Sequence, residues 1–125
     1  MILDTNAVSA IADQDQGLMG IIATCSSLSL SFIAVAEFRY GLLGSNRPEA
    51  GNQLLAELIA NIPLLFPDLE TLEAYAKIKD HLKRIGRIIP DKDIWIAALA
   101  HQHDMSVLSR DRHFDHIPDV HRQEW

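Results

Sequence analysis

The chain has 125 residues, 48% of them hydrophobic, and a formal net charge of −6 from 11 Lys and Arg against 17 Asp and Glu. Length and apolar content suit a single domain over residues 1–125 and exclude disorder, and the acidic balance excludes a broad, non-specific nucleic-acid binder. A lone cysteine, Cys25, excludes an internal disulfide and a Cys-based zinc site, and the absence of any membrane-length apolar run or signal-peptide pattern predicts a soluble, cytoplasmic chain.

Met1-Ile2-Leu3-Asp4-Thr5-Asn6 opens the chain with three apolar residues running into an acid, a hydroxyl and an amide. So short an apolar run reads as a buried strand over residues 1–4, and Asn6 is a good N-cap for a helix over 6–13. Asp13 to Gly17 is a polar turn. Leu18 to Thr24 is apolar and helical, and Leu28 to Phe32 alternates like a strand. Ser31 can cap a helix over 33–43, which Gly44 to Pro48 ends; Pro48 suits the first turn of a helix reaching Ala60.

Ile62 to Phe66 reads as a short strand with Pro63 near its start. Asp68 caps a long helix to Ile85, stopped by Gly86. After Ile88-Ile89-Pro90 a helix runs from Lys92 to His103, followed by a strand over Met105–Ser109 and an edge strand within Val120–Trp125. Strands alternating with helices imply a doubly wound α/β fold, a parallel sheet covered on both faces. Ligands of such sheets bind beyond the strands' C-terminal ends.

Asp4 and Asp111 both fall at strand C-terminal ends. Glu37 has Ile33, Ala34, Tyr40 and Gly41 as its helical neighbours, an apolar setting in which a carboxylate needs a partner; Arg39 is at the wrong spacing to supply one. Asp93 lies in the first turn of a helix that is apolar all round, where it could serve the helix dipole or be free for another task if Asp91 caps the helix. Singly, each acid has an ordinary structural explanation. Clustered, they repel one another unless a cation compensates. Oxygen donors without Cys or a convincing His set point to Mg²⁺ or Mn²⁺, and so to metal-assisted phosphodiester hydrolysis.

These residues resemble the PIN-domain ribonucleases, in particular the VapC toxins of bacterial toxin–antitoxin pairs. Ile2-Leu3-Asp4-Thr5-Asn6 is similar to the family's opening motif, and Ala36-Glu37-Phe38-Arg39-Tyr40-Gly41 to its second. Asp93-Ile94-Trp95-Ile96-Ala97-Ala98 is similar to the third. Ser109-Arg110-Asp111, followed by His113-Phe114, is similar to the fourth, with Ser109 where the family usually has Thr. The resemblance implies a PIN-like α/β/α sandwich and an endoribonuclease acting on structured RNA such as tRNA or rRNA. It implies Asp4 and Asp93 as direct ligands of Mg²⁺ or Mn²⁺, with Glu37 and Asp111 acting through water or a second metal. Thr5, Asn6 and Ser109 would be supporting hydrogen-bonders. It further implies a homodimer and a cognate VapB-like antitoxin.

Two other functions compete. A haloacid-dehalogenase-type phosphatase also uses an Asp after its first strand, but needs a second acid where this chain has Asn6. A non-catalytic RNA- or antitoxin-binding module would not need all four acids. The six histidines form no convincing metal set, with His113 and His116 explained by nearby acids and solvent. Lys77, Lys79, Lys83, Arg84 and Arg87 read as a mostly solvated basic helix face, and Trp95 as a core or dimer-interface residue.

Overall fold

In the computed structural model, which describes all of residues 1–125, Ile2–Leu3 forms β1, a two-residue strand whose side chains are both fully buried. Ser29–Ser31 (β2) pairs with it on one side and Val107–Leu108 (β4) on the other, all parallel. Leu64–Leu65 (β3) and Arg122–Gln123 (β5) form the edges, giving the order β3-β2-β1-β4-β5. The N-terminal strand is thus the middle strand of the sheet.

Side chains alternate across a strand, so each short strand feeds two cores. Ile2 and Val107 point into one, with Ala74, Ile78 and Leu82 of α5 (Leu69–Arg84) and Ile94 to Ala100 of α6 (Asp91–Gln102). Leu3, Leu30 and Leu108 point into the other, with Ala7, Val8 and Ala10 of α1 (Thr5–Ala12), Leu18 of α2 (Gln16–Thr24) and Ala34 of α3 (Phe32–Leu43). Helix α4 (Glu49–Asn61) packs on α3 and adds Leu58 to this second core. Each fully buried Leu or Ile contributes ~1.5–3 kcal/mol. The result is the expected three-layer α/β/α sandwich around an all-parallel sheet. No helix is long and apolar enough to cross a membrane.

The expected elements all form, with informative shifts at their ends. Helix α1 starts at Thr5, so its N-cap is Asp4, not Asn6. The strand stops at Leu3 and no loop intervenes, which leaves Asp4 as the residue with extended backbone at the helix entrance. Ser31 caps α3 as anticipated, its Oγ accepting from Ala34 N at 3.0 Å. Asp68 caps α5 in a capping box with Thr71. Gly86 then ends the segment at φ +70, which a glycine adopts without a Cβ clash.

Asp91 is not the N-cap of α6. Pro90 holds that position without a side-chain bond, and Asp91 instead accepts from Tyr75 Oη at 2.9 Å and pairs with Lys79 Nζ at 2.8 Å. Trp95 is half-buried and stacks on Tyr75, ring centroids 4.1 Å apart, with Phe32 against its edge. One short element has no counterpart in the sequence pattern: a 3₁₀ turn over Arg112–His116.

Candidate active site

Because the strands are all parallel, their C-terminal ends share one edge, and the site is built there. Asp4 leaves β1 and is 5% exposed. Its Oδ1 accepts from Thr5 N at 2.7 Å, and its Oδ2 from Ser109 Oγ at 2.7 Å and Asn6 Nδ2 at 3.0 Å. Ser109, fully buried just past β4, also accepts from Asn6 Nδ2 at 3.1 Å and from Asp111 N at 2.9 Å. Asn6 Oδ1 accepts from Arg110 N at 3.3 Å. One amide and one hydroxyl therefore join the ends of two neighbouring strands and fix where Asp4 and Asp111 stand.

Glu37 arrives from the second turn of α3. The apolar face expected around it forms only on its N-terminal side: Ala34 is fully buried and Ile33 packs on the core, whereas Tyr40 is 79% exposed and Glu37 reaches the cleft edge. Its Oε2 accepts from Thr5 Oγ1, and its Oε1 pairs with Lys92 Nζ at 2.8 Å. Asp93 comes from the first turn of α6, 2% exposed, its Oδ2 lying 2.8 Å from His113 Nδ1. Asp111 caps the 3₁₀ turn and accepts from His113 N at 2.9 Å.

Together these groups line a cleft of about 390 Å³. Six carboxylates (Asp4, Asp13, Asp15, Glu37, Asp93 and Asp111) face two cations, Lys92 and Arg110. Both cations are already paired: Lys92 with Glu37, and Arg110 with Asp15 at 2.8 Å, its guanidinium 4.5 Å over the Trp125 ring. Burial pushes the Asp4 carboxyl up, opposed by its bonds from Ser109 and Thr5 and reinforced by the charges of Asp111 and Glu37. Burial also pushes Asp93 up, opposed by His113 and reinforced by Asp111 and Asp4. The bond to Glu37 raises Lys92. An excess of negative charge held partly out of water is the environment that a divalent cation relieves, and oxygen donors fit a hard one.

All seven residues anticipated from the sequence meet here: Asp4, Thr5, Asn6, Glu37, Asp93 and Asp111 on the cleft wall and Ser109 beneath Asp4. Asp91 is elsewhere, tied to α5. Lys92 and Arg110 were not anticipated as lining residues, whereas His113, explained from the sequence by nearby acids and solvent, does lie against two of those acids, Asp93 and Asp111. Lys92 and Arg110 each adjoin a site acid in sequence, and that neighbourhood was the signal available for them.

A family model described as PIN domain matches residues 1–120. The VapC ribonuclease Y4jK of Sinorhizobium fredii is 33% identical over 121 residues, 89% of this chain and 86% of the relative. Ribonuclease VapC4 of Mycobacterium tuberculosis is 31% identical over 93 residues, 73% of this chain and 72% of the relative. Among solved structures, VapBC-1 from nontypeable Haemophilus influenzae is similar with a TM-score of 0.87 at 26% sequence identity, over 99% of this chain and 96% of that one.

Proposed function

The chain belongs to the PIN-domain family, and on that premise we propose that it is a metal-dependent endoribonuclease, the VapC-like toxin of a toxin–antitoxin pair. Its substrates are structured RNAs such as tRNA or rRNA, and a VapB-like antitoxin neutralises it in the cytoplasm. The relatives that are named ribonucleases and the neighbour that is named VapBC-1 support this. The observation that carries the proposal is the meeting of Asp4, Glu37, Asp93 and Asp111 at one cleft from four separate parts of the chain. Residues 1–125 act as one PIN domain, working as a homodimer.

Asp4 and Asp93 would hold Mg²⁺ or Mn²⁺, the two most buried of the four acids and the two whose carboxyls burial disfavours as free anions. When bound, the ion activates a water and stabilises charge on a phosphoryl oxygen. Asp111 and Glu37 are more exposed, with side chains 32% and 30% accessible, and serve to accept hydrogen bonds from the attacking water and orient it. Thr5 fixes the Glu37 carboxylate, and Ser109 with Asn6 fixes Asp4. Lys92 and Arg110, the cations of the cleft, attract the phosphate backbone. The phosphatase alternative requires a second acid at position 6, where Asn6 is instead committed to Asp4 and Ser109.

The test is cleavage of total tRNA by wild type and Asp93→Asn with Mg²⁺, Mn²⁺ or EDTA. Discrete fragments that require metal and disappear in the variant are expected. Metal binding without cleavage of any RNA tried would leave a binding module in its place.

A further inference from the structure

Arg110 lines the cleft, but its ion pair is with none of the four acids. Its side chain is 51% exposed, and its Nη2 donates to Asp15 Oδ2 at 2.8 Å. The other cation of the cleft, Lys92, pairs with Glu37, which is one of the four. Asp15 is itself fixed, because it caps α2 with its Oδ1 accepting from Leu18 N at 3.1 Å. The backbone N of Arg110 donates to Asn6 Oδ1. The arginine is thus held at its backbone and at its tip.

Trp125 supplies a third hold. The guanidinium carbon lies 4.5 Å from the centre of its ring. The indole rests beside the first turn of α2, with its Cδ1 3.6 Å from where a Cβ of Gly17 would stand. Trp125 packs against the second core, and its Nε1 is buried there without an acceptor. An orphaned N–H is destabilising, and Phe or Leu would fill the same apolar setting without one. What the indole adds is its face, the best of the aromatic rings for a cation. A free arginine loses much of its rotamer freedom when a ligand fixes it. Here the indole and a carboxylate restrict it before any ligand arrives.

We propose that Trp125 is a positioning residue for RNA binding: with Asp15 it holds the Arg110 guanidinium ready for a phosphate that flanks the one being cut. The contrast between the two cations assigns the place. Lys92 touches an acid of the reaction centre, whereas Arg110 touches none of them and reaches instead to the start of α2. Asp15 engages Nη2, and the remaining N–H groups of the half-exposed guanidinium suit phosphate oxygens. Its work is therefore on binding and not on the chemical step. This inference rests on the reading of the cleft as a ribonuclease site.

The experiment measures tRNA affinity of the full chain in EDTA by fluorescence anisotropy, then KM and kcat for tRNA cleavage with Mg²⁺ or Mn²⁺. Wild type is compared with Trp125→Leu, Arg110→Gln and the double variant. Trp125→Leu is expected to weaken affinity and raise KM about fivefold, with kcat within about twofold, and to add nothing once Arg110 is replaced. Trp125→Phe keeps an aromatic face and should stay within about twofold of wild type. An equal loss with and without Arg110 overturns the proposal, because Trp125 then acts through the fold. A fall in kcat with KM unchanged overturns it too. Arg110→Lys decides the matter even if Trp125→Leu folds poorly, since it keeps the charge on a half-exposed side chain. A loss of about threefold is expected, and wild-type affinity would show that a held guanidinium is not needed. Failure of the ribonuclease reading looks different: tRNA is bound in EDTA with the Trp125–Arg110 coupling intact, but neither metal supports cleavage. Wild type that binds no tRNA overturns both.

Discussion

Asp93 shows how a buried carboxylate costs a fold stability. Its carboxyl, like that of Asp4, is held above the usual range by burial. Without metal, the folded chain therefore retains protons that the unfolded chain has released. Stability from these groups is fully present below the unfolded carboxylate value of about 3.9 and is lost as pH rises through the raised folded values. In EDTA at neutral pH, Asp93→Asn is expected to raise the thermal midpoint by about 3 °C, the shift that ~1 kcal/mol produces at this size. Scanning calorimetry checks it, and a lowered midpoint would show that the charge of Asp93 stabilises the metal-free fold. Metal reverses the order: at about 100 times its dissociation constant it adds about 2.7 kcal/mol to wild type, and the variant should gain nothing.

At the level of elements, caps decide where the acids stand. Ser31 Oγ is buried and holds the first turn of α3, the helix that carries Glu37. Ser31→Ala should cost ~1–2 kcal/mol in urea unfolding and also slow RNA cleavage, because Glu37 is displaced. Asp68→Ala, at the cap of α5, should cost about 1 kcal/mol and leave metal binding unchanged, since α5 gives no residue to the cleft.

The same contrast explains what sequence patterns could and could not reveal. Asp4 was recognisable because an apolar run that stops on an acid marks a strand end, and Asp111 because it follows closely on the strand Met105–Ser109. The cap of α1 was placed two residues late because Asn6 is as good a capping residue as Asp4, and only the absence of a loop after Leu3 decides between them. Lys92 and Glu37 are far apart in the chain and meet only through the packing of α3 on α6. His113 depends on a 3₁₀ turn, which is too short to carry a periodic pattern, and its partner Asp93 lies 20 residues away.

Across the whole molecule, two groups of positive charge can be compared. Lys83 and Arg87 sit with Ile88, Ile89 and Leu82 at the C-terminal end of α5, away from the cleft that Lys92 and Arg110 line. Charge reversal at Lys83 and Arg84 is expected to leave tRNA cleavage within about twofold, whereas Lys92→Glu or Arg110→Glu should reduce it at least tenfold. With no more than two cations to offer in the cleft, both of them paired with carboxylates, the salt dependence of RNA binding should be shallow, a log–log slope no steeper than about −1.4. A slope several times steeper would bring the basic face of α5 into the RNA footprint.

The central position of β1 sets when the cleft can form. Ile2–Leu3 needs neighbours on both sides, and the second of them, Val107–Leu108, comes far later in the chain. Asp4 waits for Ser109, 105 residues later, before its carboxylate is held. Contacts so distant in sequence form slowly. A nascent chain therefore carries Asp4 through the synthesis of the whole intervening segment without the hydroxyl that holds it. The order of the strands is itself a delay: the cleft cannot be completed around Asp4 until β4 and Ser109 have been made.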